Sequence, residues 1–136
     1  MTDSLKAKVE KAYERIEQAY EIAEKAGNAL VVAYSGGKDS DVLLRLAIDS
    51  GVPFSVEHNH TTVDAPETVY HIREVFAGLS ERGISALVNE PPEIENVDGR
   101  RVRASMWNLI PKKGIPPTRL ARYCCQYFKE RRFDGQ

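Results

Sequence analysis

The sequence predicts an α/β fold in which a parallel sheet is flanked by helices and preceded by an N-terminal amphipathic helix. Three observations predict it. Short runs rich in Val, Ile and Ala (29–34, 53–58 and 84–88) alternate with segments of helical period. The connections between them are short, and Gly or Pro stands at most of the boundaries. A β-α-β-α-β order with such connections is the pattern of a parallel sheet with right-handed crossovers.

The elements follow in order. From Thr2 or Asp3 as N-cap, Leu5, Val9, Ala12, Tyr13, Ile16, Ala19, Tyr20 and Ala23 recur every three or four residues up to Gly27. Lys and Glu occupy the rest of that helix, so its apolar stripe is expected against the sheet or a partner subunit. Ala29 to Tyr34 reads as a fully buried strand, Ser40 to Ser50 as a helix ended by Gly51, and Pro53 to His58 as the second strand. Pro66 opens the next helix at the position proline prefers, with Glu67 in its first turn, and Ile84 to Val88 is the third strand. NEPPEIENVDGRR reads as a polar loop or hairpin. Ser105 to Ile110 and Thr118 to Arg132 read as helices separated by KKGIPP, with Trp107 expected in the core.

At 136 residues the chain suits one domain, with 1–27 as a leading helix on an α/β body at 28–136. No apolar run approaches the roughly 20 residues of a membrane span, and MTDSLKAKVEK has no signal-peptide apolar stretch, so a cytoplasmic protein without a membrane partner is expected. The net charge of -1 conceals an asymmetry: residues 1–99 carry -9 and residues 100–136 carry +8. Most of the basic residues, Arg100, Arg101, Arg103, Lys112, Lys113, Arg131 and Arg132 among them, are expected to be solvated or paired. The functional alternative is an anionic partner: a phosphate, a sulfate or a nucleic-acid backbone.

The run VVAYSGGKDSDVLL, at 31–44, is strand, tight turn and helix. A turn that leaves a parallel strand lies at the carboxyl edge of the sheet, where open α/β folds bind ligands. Gly36 and Gly37 let backbone N–H groups approach an anion, the helix start adds free donors and partial positive charge, and Lys38 adds a full charge. The Ser35 and Ser40 hydroxyls complete a phosphate cradle that lacks Walker A spacing. Asp39 can fix the turn or assist a Mg2+ ion. His58 and His60 alternate as metal ligands can, but a third ligand at sensible spacing is missing, and they read as polar loop residues.

This loop resembles the pyrophosphate-binding loop of the PP-loop superfamily, with its adenine nucleotide alpha hydrolase-like, Rossmann-like fold. HTTVDAPETVYHIREVF at 60–76 and WNLIPKKGIPPTRLARYCCQYFKE at 107–130 are similar to the phosphoadenosine phosphosulfate (PAPS) reductase group within it. The resemblance implies that Ser35, Gly36, Gly37, Lys38, Asp39 and Ser40 hold the phosphate end of an adenylyl nucleotide: ATP, PAPS or adenylylsulfate (APS). It places Thr61 and Thr62 beside the nucleotide and implies sulfonucleotide reduction or adenylyl transfer, with Lys38, Asp39, Cys124 and Cys125 as catalytic candidates. Arg119, Arg122 and Lys129, expected on one face of a helix, suit a ligand with several negative charges. Cys124 and Cys125 resemble one of the two cysteine pairs that hold an iron–sulfur cluster in adenylylsulfate reductases. With no second pair, such a cluster is not expected within one chain, and the cysteines read as one buried and one partly exposed thiol.

The family continues beyond its cysteine segment into further strands, whereas this sequence ends at FDGQ. A C-terminally shortened member of the fold is therefore expected, with strand 29–34 at a sheet edge. That edge is expected to be covered by the leading helix, by the C-terminal segment or by self-association, so a homodimer or a completing partner chain belongs to the expectation. The alternative function is a non-catalytic or accessory module of a nucleic-acid modification system that uses the basic segment to bind nucleic acid or a partner.

Overall fold

A computed structural model describes residues 2–130; Arg131, Arg132 and the terminal FDGQ lie outside the described residues. The described chain falls into two compact units, 2–58 with 66–87 and 59–65 with 88–130. Each has its own apolar core.

The first unit begins with helix α1 (Asp3–Lys25). Thr2 stands at its N-cap position without a capping side-chain bond. No residue of α1 is fully buried, and Val9, Ala12, Tyr13, Ile16, Tyr20 and Ala23 form a half-buried face, as their spacing requires. The chain continues through strand β1 (Val31–Ala33), helix α2 (Lys38–Ser50), strand β2 (Ser55–Asn59), helix α3 (Pro66–Glu81) and strand β3 (Ala86–Asn89). The three strands form a parallel sheet in the order β1-β2-β3, so β1 is an edge strand. Val31, Val32 and Ala33 stand opposite Ser55, Val56 and Glu57.

Strand β1 is shorter than the apolar run that predicts it, and it is not buried on both faces: Val32 is buried while Val31 and Ala33 are exposed. Helix α2 starts at Lys38, two residues before the expected start at Ser40, with Gly37 at its N-cap position. The core joins Val32 and Tyr34 to Leu44 and Ala47 of α2, Val56 of β2, and Ile72, Phe76 and Leu79 of α3. His58 belongs to this buried set and not to a loop, being 5% exposed, and its Nδ1 makes a 2.8 Å hydrogen bond with the Tyr34 carbonyl.

In the second unit, strands β4 (Glu93–Glu95) and β5 (Arg101–Arg103) make an antiparallel hairpin from the Pro- and Gly-rich stretch. Helix α4 (Met106–Lys113) follows, with Ser105 and Asn108 forming a reciprocal capping box. Met106 and Leu109 face the core with Ile94, Ala104, Tyr123 and Phe128. Trp107 sits on the opposite face at 78% exposure, which corrects its expected place in the core. The helix expected over 118–132 is also corrected. Thr118 Oγ1 accepts from Ala121 N–H at 3.0 Å and holds 118–122 in a turn, so within the described residues 118–130 only α5 (Tyr123–Cys125) and a π-helical turn at Gln126–Glu130 are helical, and Arg131 and Arg132 lie outside the described residues.

Gly36 is the most closely packed of the described glycines. Its φ is +79°, and a Cβ there would lie 2.9 Å from Ile72 Cγ1 and 3.2 Å from Thr68 Cγ2. Gly51 has a similar φ of +74° but open space around it. Gly36→Ala is expected to cost about 2–4 kcal/mol, as left-handed strain and overpacking combine. Gly51→Ala is expected to cost only about 1 kcal/mol of strain. Urea denaturation of the two variants measures the difference, and equal losses would show that α3 does not clamp the turn.

Candidate functional site

The turn at 35–40 is built by its own hydroxyls. Ser35 Oγ donates to Ser40 Oγ at 3.2 Å, and Ser40 Oγ donates to the Gly37 carbonyl at 2.7 Å. Gly37 N–H points back to Ser35 Oγ at 3.4 Å. Beyond that bond no side-chain acceptor meets the N-terminus of α2 among the described residues, so the donors of Lys38, Asp39 and Ser40 are left without one. Lys38 and Asp39 are both 92% exposed and 3.2 Å apart, a surface ion pair that is worth little and is easily exchanged. The six residues 35–40 therefore form one continuous surface of hydroxyls, glycines and paired charges.

Beneath this surface lies a network that the sequence does not reveal. The Tyr34 hydroxyl donates to Asp41 Oδ1 at 2.5 Å, and His71 Nε2 of α3 lies 3.0 Å from the same hydroxyl. The Tyr34 ring packs on Phe76 with centroids 5.8 Å apart. Burial, and then the Asp41 hydrogen bond, raise the Tyr34 phenol above its ordinary value. The Tyr34 hydrogen bond holds the Asp41 carboxyl below its own, against a smaller opposing effect of burial and with help from His71. A tyrosine directly before SGGKDS was the only available signal; nothing in the sequence pairs His71 with Asp41.

The second unit holds the other expected site residues. Thr61 Oγ1 is buried without a hydrogen-bond partner among the described residues. Thr62 has a φ of +69°, unusual for a β-branched residue, and its Oγ1 accepts from Met106 N–H at 3.1 Å. A buried orphan hydroxyl beside a strained residue is characteristic of functional sites. Arg119 and Arg122 line a shallow depression with Cys124, Pro117 and Thr118. Lys129 lines a separate one with Asn59, His60 and Asn89. The three cations therefore do not share a helix face, because 118–122 is a turn.

Both cysteines are half-buried, so one is partly exposed as expected and the other is not the fully buried thiol that was expected. Arg122 Nη2 donates to Cys125 Sγ at 3.4 Å. That guanidinium contact is the largest influence lowering the Cys125 thiol below its ordinary value, with Lys129 adding to it. The two thiols are half of the usual four-cysteine set for an iron–sulfur cluster, which does not fit the chain's own cysteines.

Two titrations follow from these contacts. The Asp41 carboxyl is expected to titrate below its ordinary 3.8, and Tyr34→Phe to bring it back up, as read by carboxyl-carbon NMR. A depressed carboxyl stabilises the fold above its unfolded-state pKa, and that contribution disappears as pH falls through the depressed value. For the thiol, iodoacetamide modification of Cys125 is expected to reach half its maximal rate below pH 9.0, and Arg122→Ala to move that midpoint upward. An unmoved midpoint would show that the guanidinium does not favour the thiolate.

Among curated proteins, none matches the chain significantly. Against protein-family models, residues 29–131 match the phosphoadenosine phosphosulfate reductase domain. The matched span runs from the start of the first strand, through the SGGKDS turn, to the cysteine segment. The chain thus belongs to the phosphoadenosine phosphosulfate reductase domain family, within the PP-loop/adenine nucleotide alpha hydrolase-like superfamily.

Proposed function

We propose that the chain binds an adenylyl nucleotide, ATP or a sulfonucleotide such as PAPS or APS, with its phosphate end on the loop from Ser35 to Ser40. The observation that carries this reading is the loop itself: a glycine turn clamped at Gly36 leads into a helix whose first N–H donors no side chain occupies. Family membership over 29–131 supports a function related to sulfonucleotides or adenylyl nucleotides. In this reading Gly36 and Gly37 admit the phosphate, the first turn of α2 donates to it, and Ser35 and Ser40 supply hydroxyls. Lys38 exchanges its weak Asp39 partner for a phosphate oxygen. Asp39, released, is the carboxylate available for a phosphate-bound Mg2+, which takes oxygen donors of this kind.

Thr61 and Thr62 are proposed as nucleotide-binding on the family resemblance, and the Thr61 hydroxyl has no hydrogen-bond partner among the described residues. Arg119 and Arg122 are proposed to bind negative charge in their own depression, and Lys129 in its separate one. Of the two reactions the family suggests, Cys125 favours sulfonucleotide reduction, because a thiolate is the reactive form in thiol redox chemistry.

Calorimetric titration with ATP, PAPS and APS tests the proposal. At least one should bind at micromolar to millimolar concentration, with Lys38→Ala weakening it by about tenfold or more. No heat with any of the three would overturn it. Salt-dependent retention on DNA or RNA that survives Lys38→Ala would instead assign the basic segment to a nucleic-acid partner.

A further inference from the structure

The stretch that carries His58 and His60 brings a third group to them. His58 lies in β2, and the His60 N–H donates to the Asn89 carbonyl at 2.9 Å, so the chain stays extended from one histidine to the other. Residues two apart on an extended chain share a face. The chain then bends at Thr62, where φ is +69°, and Asp64 comes within reach of both rings. One ligand atom from each of His58, His60 and Asp64 lies within 4.8 Å of the other two. Linear spacing hides this group, because a left-handed residue closes the gap between His60 and Asp64.

Each member has an acceptor atom to offer. The Tyr34 carbonyl, 2.8 Å from His58 Nδ1, can only accept, so Nδ1 carries the proton and Nε2 the free lone pair. That bond also fixes the plane of a buried ring, which is how a metal-binding histidine is commonly oriented. The His60 ring makes no hydrogen bond among the described residues. Asp64 Oδ2 is buried and has no hydrogen-bond partner among them either. A buried carboxylate oxygen without a donor is costly, and folded proteins seldom keep one without a reason. Among the described residues the histidine that makes an ion pair is His71, and none joins Asp64 to His58 or His60. Lone pairs therefore converge here without a donor, and a cation is the species that satisfies all of them at once.

We infer that His58, His60 and Asp64 form a binding site for a divalent transition-metal ion of the Zn2+ class. Imidazole nitrogens suit Zn2+, Ni2+, Cu2+ or Fe2+, whereas Mg2+ takes oxygen donors, so this ion differs in kind from one held on phosphate oxygens. Two imidazoles and a carboxylate are three protein ligands, the number that leaves a coordination position open for water or a substrate atom. At metal–ligand distances of about 2.0–2.1 Å, tetrahedral ligands stand about 3.4 Å apart. Closing from the present separations therefore takes shifts of about 1.4 Å or less, which rotation of the half-buried His60 and Asp64 side chains supplies. His60 also lines the open depression it shares with Asn59 and Asn89, which gives an ion a path from solvent. The inference is independent of the nucleotide reading, because none of its ligands belongs to the loop at 35–40.

The chain has three histidines, so ring NMR of the untagged full chain during titration with Zn2+ tests the site. The His58 and His60 rings are expected to shift together and to saturate at micromolar Zn2+, while His71, outside the group, does not move. Millimolar Mg2+ should leave both rings unmoved. Asp64→Asn, which keeps the side chain's shape, and His60→Asn should each weaken the binding read at His58 by about tenfold or more, in variants whose amide spectra remain folded. Thiols also attract such ions, so the titration is repeated with Cys124→Ser and Cys125→Ser together, where the histidine shifts should persist. Unmoved His58 and His60 rings at millimolar Zn2+ would overturn the inference. So would undiminished binding in both the Asp64→Asn and His60→Asn variants, or loss of the shifts along with the cysteines.

Discussion

Tyr34 is the junction on which the first unit depends. Its N–H closes the β1–β2 ladder on Glu57, its carbonyl meets the buried His58 ring, and its hydroxyl joins Asp41 of α2 to His71 of α3. One side chain at the end of β1 thus fixes the neighbouring strand and both helices immediately before the chain turns through Ser35 and Gly36. Because the hydroxyl is buried, each of its bonds is worth more than at the surface, and losing one leaves a polar atom unsatisfied. The rigidity of the exposed loop is inherited from this buried residue.

The loop adds a steric constraint to that anchor. With Ile72 and Thr68 lying where a side chain at Gly36 would be, α3 fixes the height of the turn, while the Ser35 and Ser40 hydroxyls fix its curvature. The outward face is left with what the first turn of a helix always offers, unpaired N–H groups, plus a lysine held only by its exposed neighbour. The turn is thus set by its own packing, and the charges around it are only weakly paired.

The alternation of elements was legible in the sequence because period and punctuation agree: Gly27, Gly51, Pro66 and Gly83 stand where the structure ends or begins a helix. The SGGKDS turn was legible for a related reason, since glycine is the residue that a left-handed, closely packed position demands. What was not legible depended on partners distant in sequence or on local side-chain bonds. Residues 118–122 were read as the start of a helix, yet the Thr118 hydroxyl takes the Ala121 N–H that a helix would have used. Trp107 lies between Met106 and Leu109, and a helix can turn only some of three such large residues inward. The left-handed Thr62 and the His71–Asp41 approach have no local signature, because contacts made far along the chain impose them.

Neither compact unit is a continuous stretch of polypeptide, and this has a consequence for dissecting the molecule. Residues 59–65 leave the first unit after β2 and return to it at α3, but their bonds are made with the second: His60 N–H to the Asn89 carbonyl, Asn59 with Asn89, and Thr62 with Met106. A truncation after Leu87 would keep this excursion and remove every one of those partners, leaving the buried Thr61 and the strained Thr62 with nothing to hold them. A truncation before residue 59 would instead discard α3, and with it the wall that clamps Gly36. No single cut separates the two cores into intact pieces, and a portion that keeps these partners of 59–65 must run at least to Met106.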